Sequence, residues 1–333
     1  MTWLAWRQLR AKAALVYGLL AAAAAVLVVA GRPVTTDVAE GVDTLYSGGI
    51  LAVYGLPAVV GVFWGAPLVA RELASGTFRL AWSQSVTRTR WLATKLAFTG
   101  AAAVVAAGLL SLAVTWWSWP LDAASRPATI AVAREMVQGE TYAARMTPLV
   151  FGARGIVPIG YAAFAFALGV AAGILLRRTV LAMAVTLAVY AAVLFTVTFV
   201  ARPHLLPPDR ATVPVTAQTL ARLGFDGAGE PEQLAVAGPP GSWVLGNETV
   251  DTAGRAAKVP PWALGCMPPP DLPSAGEACF DRLTALGYRQ RLTYHPEGHF
   301  WAMQGIETAI FLALSALLAW LCLGILWRLR PPE

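Results

Sequence analysis

The chain has 333 residues, of which 57% are hydrophobic and only 13% are charged, and its formal net charge is +6. A soluble domain carries roughly 25% charged residues, so this composition excludes a chain that faces water over most of its length. The basic residues flank apolar runs, which is typical of membrane topology and argues against a nucleic-acid-binding protein.

Six apolar runs recur along the chain, each long enough, at about 18 residues or more, to cross a bilayer as a helix. The predicted spans cover residues 13–30, 49–70, 92–117, 155–176, 180–201 and 306–327. The first run ends at Gly31 without a signal-peptide cleavage site, so we expect it to be retained as a helix. Gly169 and Gly173 are small residues that would allow helices to approach closely.

The distribution of charge predicts an orientation. With the N-terminus in the cytoplasm, 12 basic and two acidic residues lie inside, a net charge of +10, and the outside carries −4. The positive-inside rule favours this arrangement over the inverted one. The sequence therefore predicts a multi-pass plasma-membrane protein with both termini in the cytoplasm.

The predicted fold class is an all-α integral membrane protein with six transmembrane helices, a cytoplasmic coupling helix and a sizeable extracytoplasmic domain between helices 5 and 6. The regions, in chain order, are three spans (1–119, with a coupling segment at 71–91), an external loop (120–154), two spans (155–201), the extracytoplasmic domain (202–305), and the last span with a cytoplasmic tail (306–333). The external loop is expected to contain an amphipathic helix at 130–144. The Pro- and Gly-rich domain is expected to be irregular.

Cys266 and Cys279 both lie in the predicted extracytoplasmic domain. An oxidising exterior favours a disulfide between them, and the alternative is two unpaired thiols. His295, Glu297 and His299 make a metal site conceivable, but the intervening proline and glycine favour a solvated turn. We therefore predict no metal.

The sequence contains no P-loop and no recognisable catalytic motif, so we do not expect the chain to hydrolyse ATP. Glu307 is the acidic residue nearest to a span, and its position near the start of the last helix suggests solvation at the membrane interface. Buried carboxylates are therefore not expected to drive transport. The energy would have to come from a partner.

Residues 70–95 leave the second span and enter the third, and they mix aromatic, hydroxyl and arginine side chains. A short amphipathic helix on the membrane surface fits this composition, with a break at Gly76-Thr77. Such an element would present a docking surface to a soluble motor. The alternative is a basic loop that merely obeys the positive-inside rule.

The segment resembles the ABC-2 type permeases, in which an Arg-Glu pair and then a Gly-Thr pair follow the second span. Here these are Arg71-Glu72 and Gly76-Thr77. Residues 2–8, 63–72, 79–91 and 300–308 are similar to an actinobacterial branch of that family. The resemblance covers nearly the whole chain, but the external region 202–298 has little recognisable motif.

The resemblance implies a permease subunit that needs no cofactor of its own, since ATP and Mg²⁺ would bind a separate ABC ATPase. It also implies a permease homodimer in contact with membrane lipid. The residues implied at the ATPase interface are Arg71, Glu72, Gly76, Thr77, Trp82, Arg88 and Arg90. The last two arginines would pair with acidic groups of the ATPase or with lipid phosphates.

Three functions follow as hypotheses. The first is an exporter permease that moves a hydrophobic or amphipathic substrate, such as an antibiotic, a peptide or a lipid, and so contributes to multidrug or antibiotic resistance. The second is a membrane sensor or immunity protein that binds a peptide or lipid with its external domain. The third is a membrane enzyme that uses the region of His295 and His299.

Overall fold

The computed structural model describes residues 2–31, 42–75, 87–124, 144–215, 220–225, 231–236, 238–258, 260, 262 and 277–328. These residues separate into two compact units. The first comprises 1–121, 148–205 and 301–333, and the second comprises 122–147 and 206–300.

The first unit is helical. Its helices are α1 (Thr2–Val29), α2 (Val42–Val60), α3 (Ala66–Ser75), α4 (Arg88–Ala124), α5 (Pro148–Phe151), α6 (Val157–Leu176), α7 (Thr179–Thr196) and α9 (Phe300–Arg328). Two π-helical turns continue α2 and α7 at Gly61–Gly65 and Val197–Ala201, and a 3-10 turn follows at Arg202–His204.

Within the described residues, six helical stretches are long and apolar enough to cross a membrane, which confirms the number predicted from the sequence. They are Leu9–Val29, Thr44–Ala74, Thr89–Asp122, Val157–Leu176, Thr179–His204 and Glu297–Ile325. Five of the six stretches begin earlier or end later than the apolar runs because polar residues at the ends keep helical hydrogen bonds, and the fourth begins at Val157 rather than at residue 155. Helix α4 is the longest helix in the described part of the chain, and its 37 residues measure about 55 Å at 1.5 Å per residue.

Helix α6 lies at the centre of the first unit, with 15 of its 20 residues buried. Its glycines permit close packing against the second span. A Cβ added to Gly169 would lie 2.2 Å from the Gly61 carbonyl oxygen, and one added to Gly173 would lie 2.5 Å from the Ala66 carbonyl oxygen. Contacts this close leave no room for a side chain, which confirms the predicted role of these two glycines.

The second unit contains β-sheet. Its strands are β1 (Asp209–Pro214), β2 (Leu220–Phe225), β3 (Pro231–Val236), β4 (Trp243–Val250) and β5 (Arg289–His295), with helix α8 at Glu277–Ala285. Strands β1, β5 and β4 form an antiparallel sheet in that order, and β2 pairs with β3 in a separate hairpin.

The predictions of an all-α fold and of an irregular external domain are therefore wrong for this unit. Strand β5 shows the reason, because buried Gln290 and Leu292 alternate there with less buried neighbours. Gln290 and the flanking arginines obscure an alternation that normally depends on apolar residues. The central position of β5 becomes evident only from its pairing on both edges with β1 and β4.

Candidate functional site

The predicted coupling segment lies between α3 and α4. Helix α3 ends at Ser75, and α4 begins at Arg88. Gly76, Thr77 and Trp82 fall outside the described residues, as does most of the segment itself. The remaining predicted interface residues belong to the two helix ends.

An ion pair joins these two helix ends. The Oε1 atom of Glu72 lies 2.5 Å from the Nζ atom of Lys95, and the Lys95 side chain is only 5% exposed. The same ammonium group lies 4.6 Å from the centroid of the Trp91 ring, a cation–π contact. The last turn of α3 is thus bound to the second turn of α4, although the paired residues are 23 positions apart.

Two predicted interface arginines lie at the same helix ends. The side chains of Arg71 and Arg90 are exposed. The start of α4 is capped by Thr87, whose Oγ1 accepts a hydrogen bond from the Arg90 N–H at 3.4 Å. This cap fixes where α4 begins. Arg88 lies in the first turn of the helix, and its side chain is outside the described part of the structure.

A second polar cluster lies inside the first unit. The guanidinium of Arg202 makes a bidentate ion pair with Glu307: Nε lies 2.8 Å from Oε2, and Nη2 lies 2.8 Å from Oε1. Both side chains are 0% exposed. The hydroxyl of Tyr161 donates to Glu307 Oε1 at 2.7 Å and accepts from Arg202 Nη2 at 3.0 Å. The cluster thereby connects α6, the end of the fifth span and α9.

The short helix α5 also contacts this cluster. Arg202 Nη1 donates to the Pro148 carbonyl oxygen at 2.5 Å, and the guanidinium lies 4.7 Å from the centroid of the Phe151 ring. Every face of the charged group therefore meets a hydrogen-bond acceptor, a carboxylate or an aromatic ring. Such complete pairing is the condition under which buried charges are tolerated.

Gln304, one turn before Glu307 on α9, forms hydrogen bonds with the connection between α5 and α6. Its Oε1 atom accepts from the N–H groups of Ile156 and Val157 at 2.9 and 3.0 Å. Its Nε2 atom donates to the Phe151 carbonyl oxygen at 2.9 Å. The amide therefore satisfies backbone groups at the end of α5 and the start of α6.

This cluster corrects one expectation. Glu307 was expected to be solvated at the membrane interface, but it is fully buried and paired. Helix α9 begins at Phe300 rather than near residue 306, so Glu307 lies two turns inside it, about 10 Å along the axis. Lys95 and Arg202 also lie within spans.

The solvated turn expected in the histidine region is found only in part, because His295 ends strand β5 and is fully buried. Glu297–His299 is a 3-10 turn, and the Nδ1 atoms of His295 and His299 are 3.4 Å apart. Glu297 makes an ion pair with Arg145 at 2.7 Å. Among the described residues, no three metal-ligating side chains lie together.

The predicted disulfide falls outside the described residues. This holds for Cys266 and for the side chain of Cys279, although the backbone of the latter lies in α8. The amphipathic helix predicted at 130–144 lies almost wholly outside them as well.

Sequence reasoning identified Glu72 but not its partner Lys95, and it missed the pairing of Arg202 with Glu307. The sequence does contain one signal that could have indicated the pairing of Arg202 with Glu307. Each residue lies at or just inside the end of an apolar run, where an isolated charge would be costly, and the two have opposite signs. Their separation of 105 positions in the sequence conceals this relation.

The chain matches the model of the family described as ABC-2 membrane transporter related over residues 2–202. No curated protein and no solved structure matches it significantly. The matched region contains the first five spans and both helix ends of the predicted coupling segment. The chain therefore belongs to the ABC-2 membrane transporter related family, whose members are permease components that normally work with an ABC ATPase.

Proposed function

We propose that this chain is the membrane-spanning subunit of an ATP-driven exporter. A separate ABC ATPase would bind and hydrolyse ATP with Mg²⁺, and two copies of the permease would form the pathway. The substrate would be hydrophobic or amphipathic, such as an antibiotic, a peptide or a lipid. Both termini would lie in the cytoplasm, and the second unit would be extracytoplasmic.

The observation that carries this proposal is the ion pair between Glu72 and Lys95. A subunit driven by an external motor must convert movement of a docking segment into movement of its spans. The pair joins the two helices that bracket residues 76–86, so a force on this segment would act on α3 and α4 together. If residues 76–86 were only a basic loop that obeys the positive-inside rule, no ion pair between α3 and α4 would be required.

The test replaces Glu72 with Gln in the assembled transporter, measured with its ATPase in proteoliposomes. We expect normal membrane insertion and continued ATP hydrolysis. The amount of substrate moved per ATP should fall at least roughly tenfold, which corresponds to a coupling free energy within the usual range. The double replacement Glu72→Lys/Lys95→Glu should restore part of the coupling because the attraction is re-formed. The matched control is Glu248→Gln, which breaks an exposed ion pair with Arg291 in the second unit.

Normal coupling in Glu72→Gln would contradict the proposed role of the segment. Assembly is tested separately by purifying the tagged chain from its native membrane. We expect an ABC ATPase to co-purify. Failure to recover any nucleotide-binding chain would refute the exporter proposal and direct attention to the sensor or immunity hypothesis.

A further inference from the structure

A cavity of about 250 Å³ lies in the first unit, lined by residues of α1, α3, α4 and the π turn before α3. Its wall has two kinds of residue. The apolar part consists of Leu9, Trp64, Pro67 and Leu68, and the polar part consists of four charged residues, Lys12, Arg71, Glu72 and Lys95, and the uncharged Thr99.

The charges of this cavity do not balance. Lys95 is matched by Glu72 at 2.5 Å. None of the ion pairs among the described residues includes Lys12 or Arg71, and these two like charges line the same cavity. The cavity therefore has an excess of two positive charges, and an anion placed between Lys12 and Arg71 would relieve the repulsion.

The ammonium group of Lys12 is held in place rather than left to move freely. Its Nζ atom donates to the Phe63 carbonyl oxygen at 3.2 Å. Pro67, four residues after Phe63, has no N–H that could compete with the lysine for that carbonyl. An ammonium group has three donors, so two remain for a ligand.

The position of the cations along the spans indicates the depth of the site. Lys12 is the fourth residue of the span Leu9–Val29, and Arg71 is three residues from the end of Thr44–Ala74. The backbones of both residues therefore lie within about 5 Å of a span end, measured along the helix axis, and the Lys12 side chain extends from there toward Phe63. This is the depth of lipid headgroups, where basic pockets between helices bind anionic lipids.

We infer that this cavity binds the phosphate headgroup of an anionic phospholipid. Lys12 and Arg71 contact the phosphate, and the apolar wall near Leu9 and Trp64 receives the upper part of an acyl chain. The apolar wall favours a lipid over a free phosphate ion, which would gain nothing from it. The inference does not depend on an ATPase or on export.

The test uses the full-length chain purified without a partner and titrated with phosphatidylglycerol in neutral detergent, with binding followed by native mass spectrometry. We expect the wild type to bind phosphatidylglycerol more tightly than phosphatidylcholine. The double replacement Lys12→Gln/Arg71→Gln should weaken phosphatidylglycerol binding roughly thirtyfold, the loss expected for two cation–phosphate contacts.

The matched control is Arg10→Gln/Arg178→Gln, which removes two exposed cations outside the cavity and should leave binding unchanged. The replacement Lys12→Arg/Arg71→Lys keeps both charges and should bind like the wild type, which separates lost contacts from lost folding. Equal losses in the control, or no preference for phosphatidylglycerol in the wild type, would overturn the inference. So would displacement of the lipid by millimolar inorganic phosphate, because the cavity would then be a site for a soluble anion.

Discussion

The Arg202–Glu307 pair is the most demanding feature of the molecule at the scale of single residues. Removing an ion from water costs several kcal/mol, and only good geometry recovers this cost. Here the pair is bidentate, and Arg202 also donates to the Pro148 carbonyl and to the hydroxyls of Tyr161 and Thr198. The pair therefore specifies which helix ends meet rather than adding a large net stability.

Replacing Glu307 with Gln would leave the Arg202 charge buried without a counter-charge. Breaking a fully buried pair in this way costs about 3–5 kcal/mol. We expect a marked fall in the midpoint of thermal unfolding, measured in neutral nanodiscs by intrinsic fluorescence. The control Glu248→Gln should cost at most about 1 kcal/mol, because that pair is exposed.

Replacing both partners, Arg202→Met with Glu307→Leu, should be less harmful than Glu307→Gln alone because no buried charge remains. A double variant less stable than the single one would show that the hydrogen bonds from Arg202 to Pro148 and Tyr161 matter more than charge balance.

At the scale of elements, the contact between the second span and α6 depends on the absence of side chains. A Cβ on Gly61 would lie 2.6 Å from the Ala165 carbonyl oxygen. The Ala165 carbonyl and the Gly61 backbone that would carry the Cβ both lie in the middle of packed helices. Neither can move aside by rotating a side-chain bond. The π turn at Gly61–Gly65 lies at this contact. The extra residue in a π turn changes the direction of the helix there.

The replacement Gly61→Ala should therefore force the second span away from α6 and destabilise the chain by about 1–3 kcal/mol, as overpacking generally does. Gly55→Ala is the matched control in the same span, because no described atom lies within 4 Å of its added Cβ. This control should be neutral or slightly stabilising, since alanine favours helix. Unfolding midpoints of the two variants, measured side by side, provide the comparison. Equal midpoints would mean that the two helices can separate at little cost.

At the scale of the whole molecule, the proposed orientation depends on charge. The second unit contains the sheet β1-β5-β4 and would lie outside the cell. A cysteine introduced near Gly241 would report on this, but Gly241 has a φ of +70°, which other residues adopt only with strain. Ala253, an exposed residue of the same unit, is a better position.

In a background without native cysteines, Ala253→Cys should react with a membrane-impermeant maleimide on intact cells. Thr87→Cys, an exposed residue immediately before α4, should react only after lysis. The opposite pattern would reverse the orientation. Reaction of both positions on intact cells would show that the proposed number of crossings between them is wrong.

The amino-acid sequence by itself determined the six spans, because a bilayer requires long apolar helices and this requirement is local. It also singled out Arg71-Glu72 at the end of the second span, through the motif that resembles the ABC-2 permeases. Predictions of this kind need only neighbouring residues. The strands of the second unit were missed because polar residues occupy buried positions there, as Gln290 does in β5.

Only the tertiary structure decided which distant charges meet. Glu72 pairs with Lys95 across 23 residues, and Arg202 pairs with Glu307 across 105. Each of these residues, taken alone, is compatible with a place at the membrane interface. Helix packing buries Lys95, Arg202 and Glu307 and makes pairing necessary, since a lone charge in that setting would be too costly.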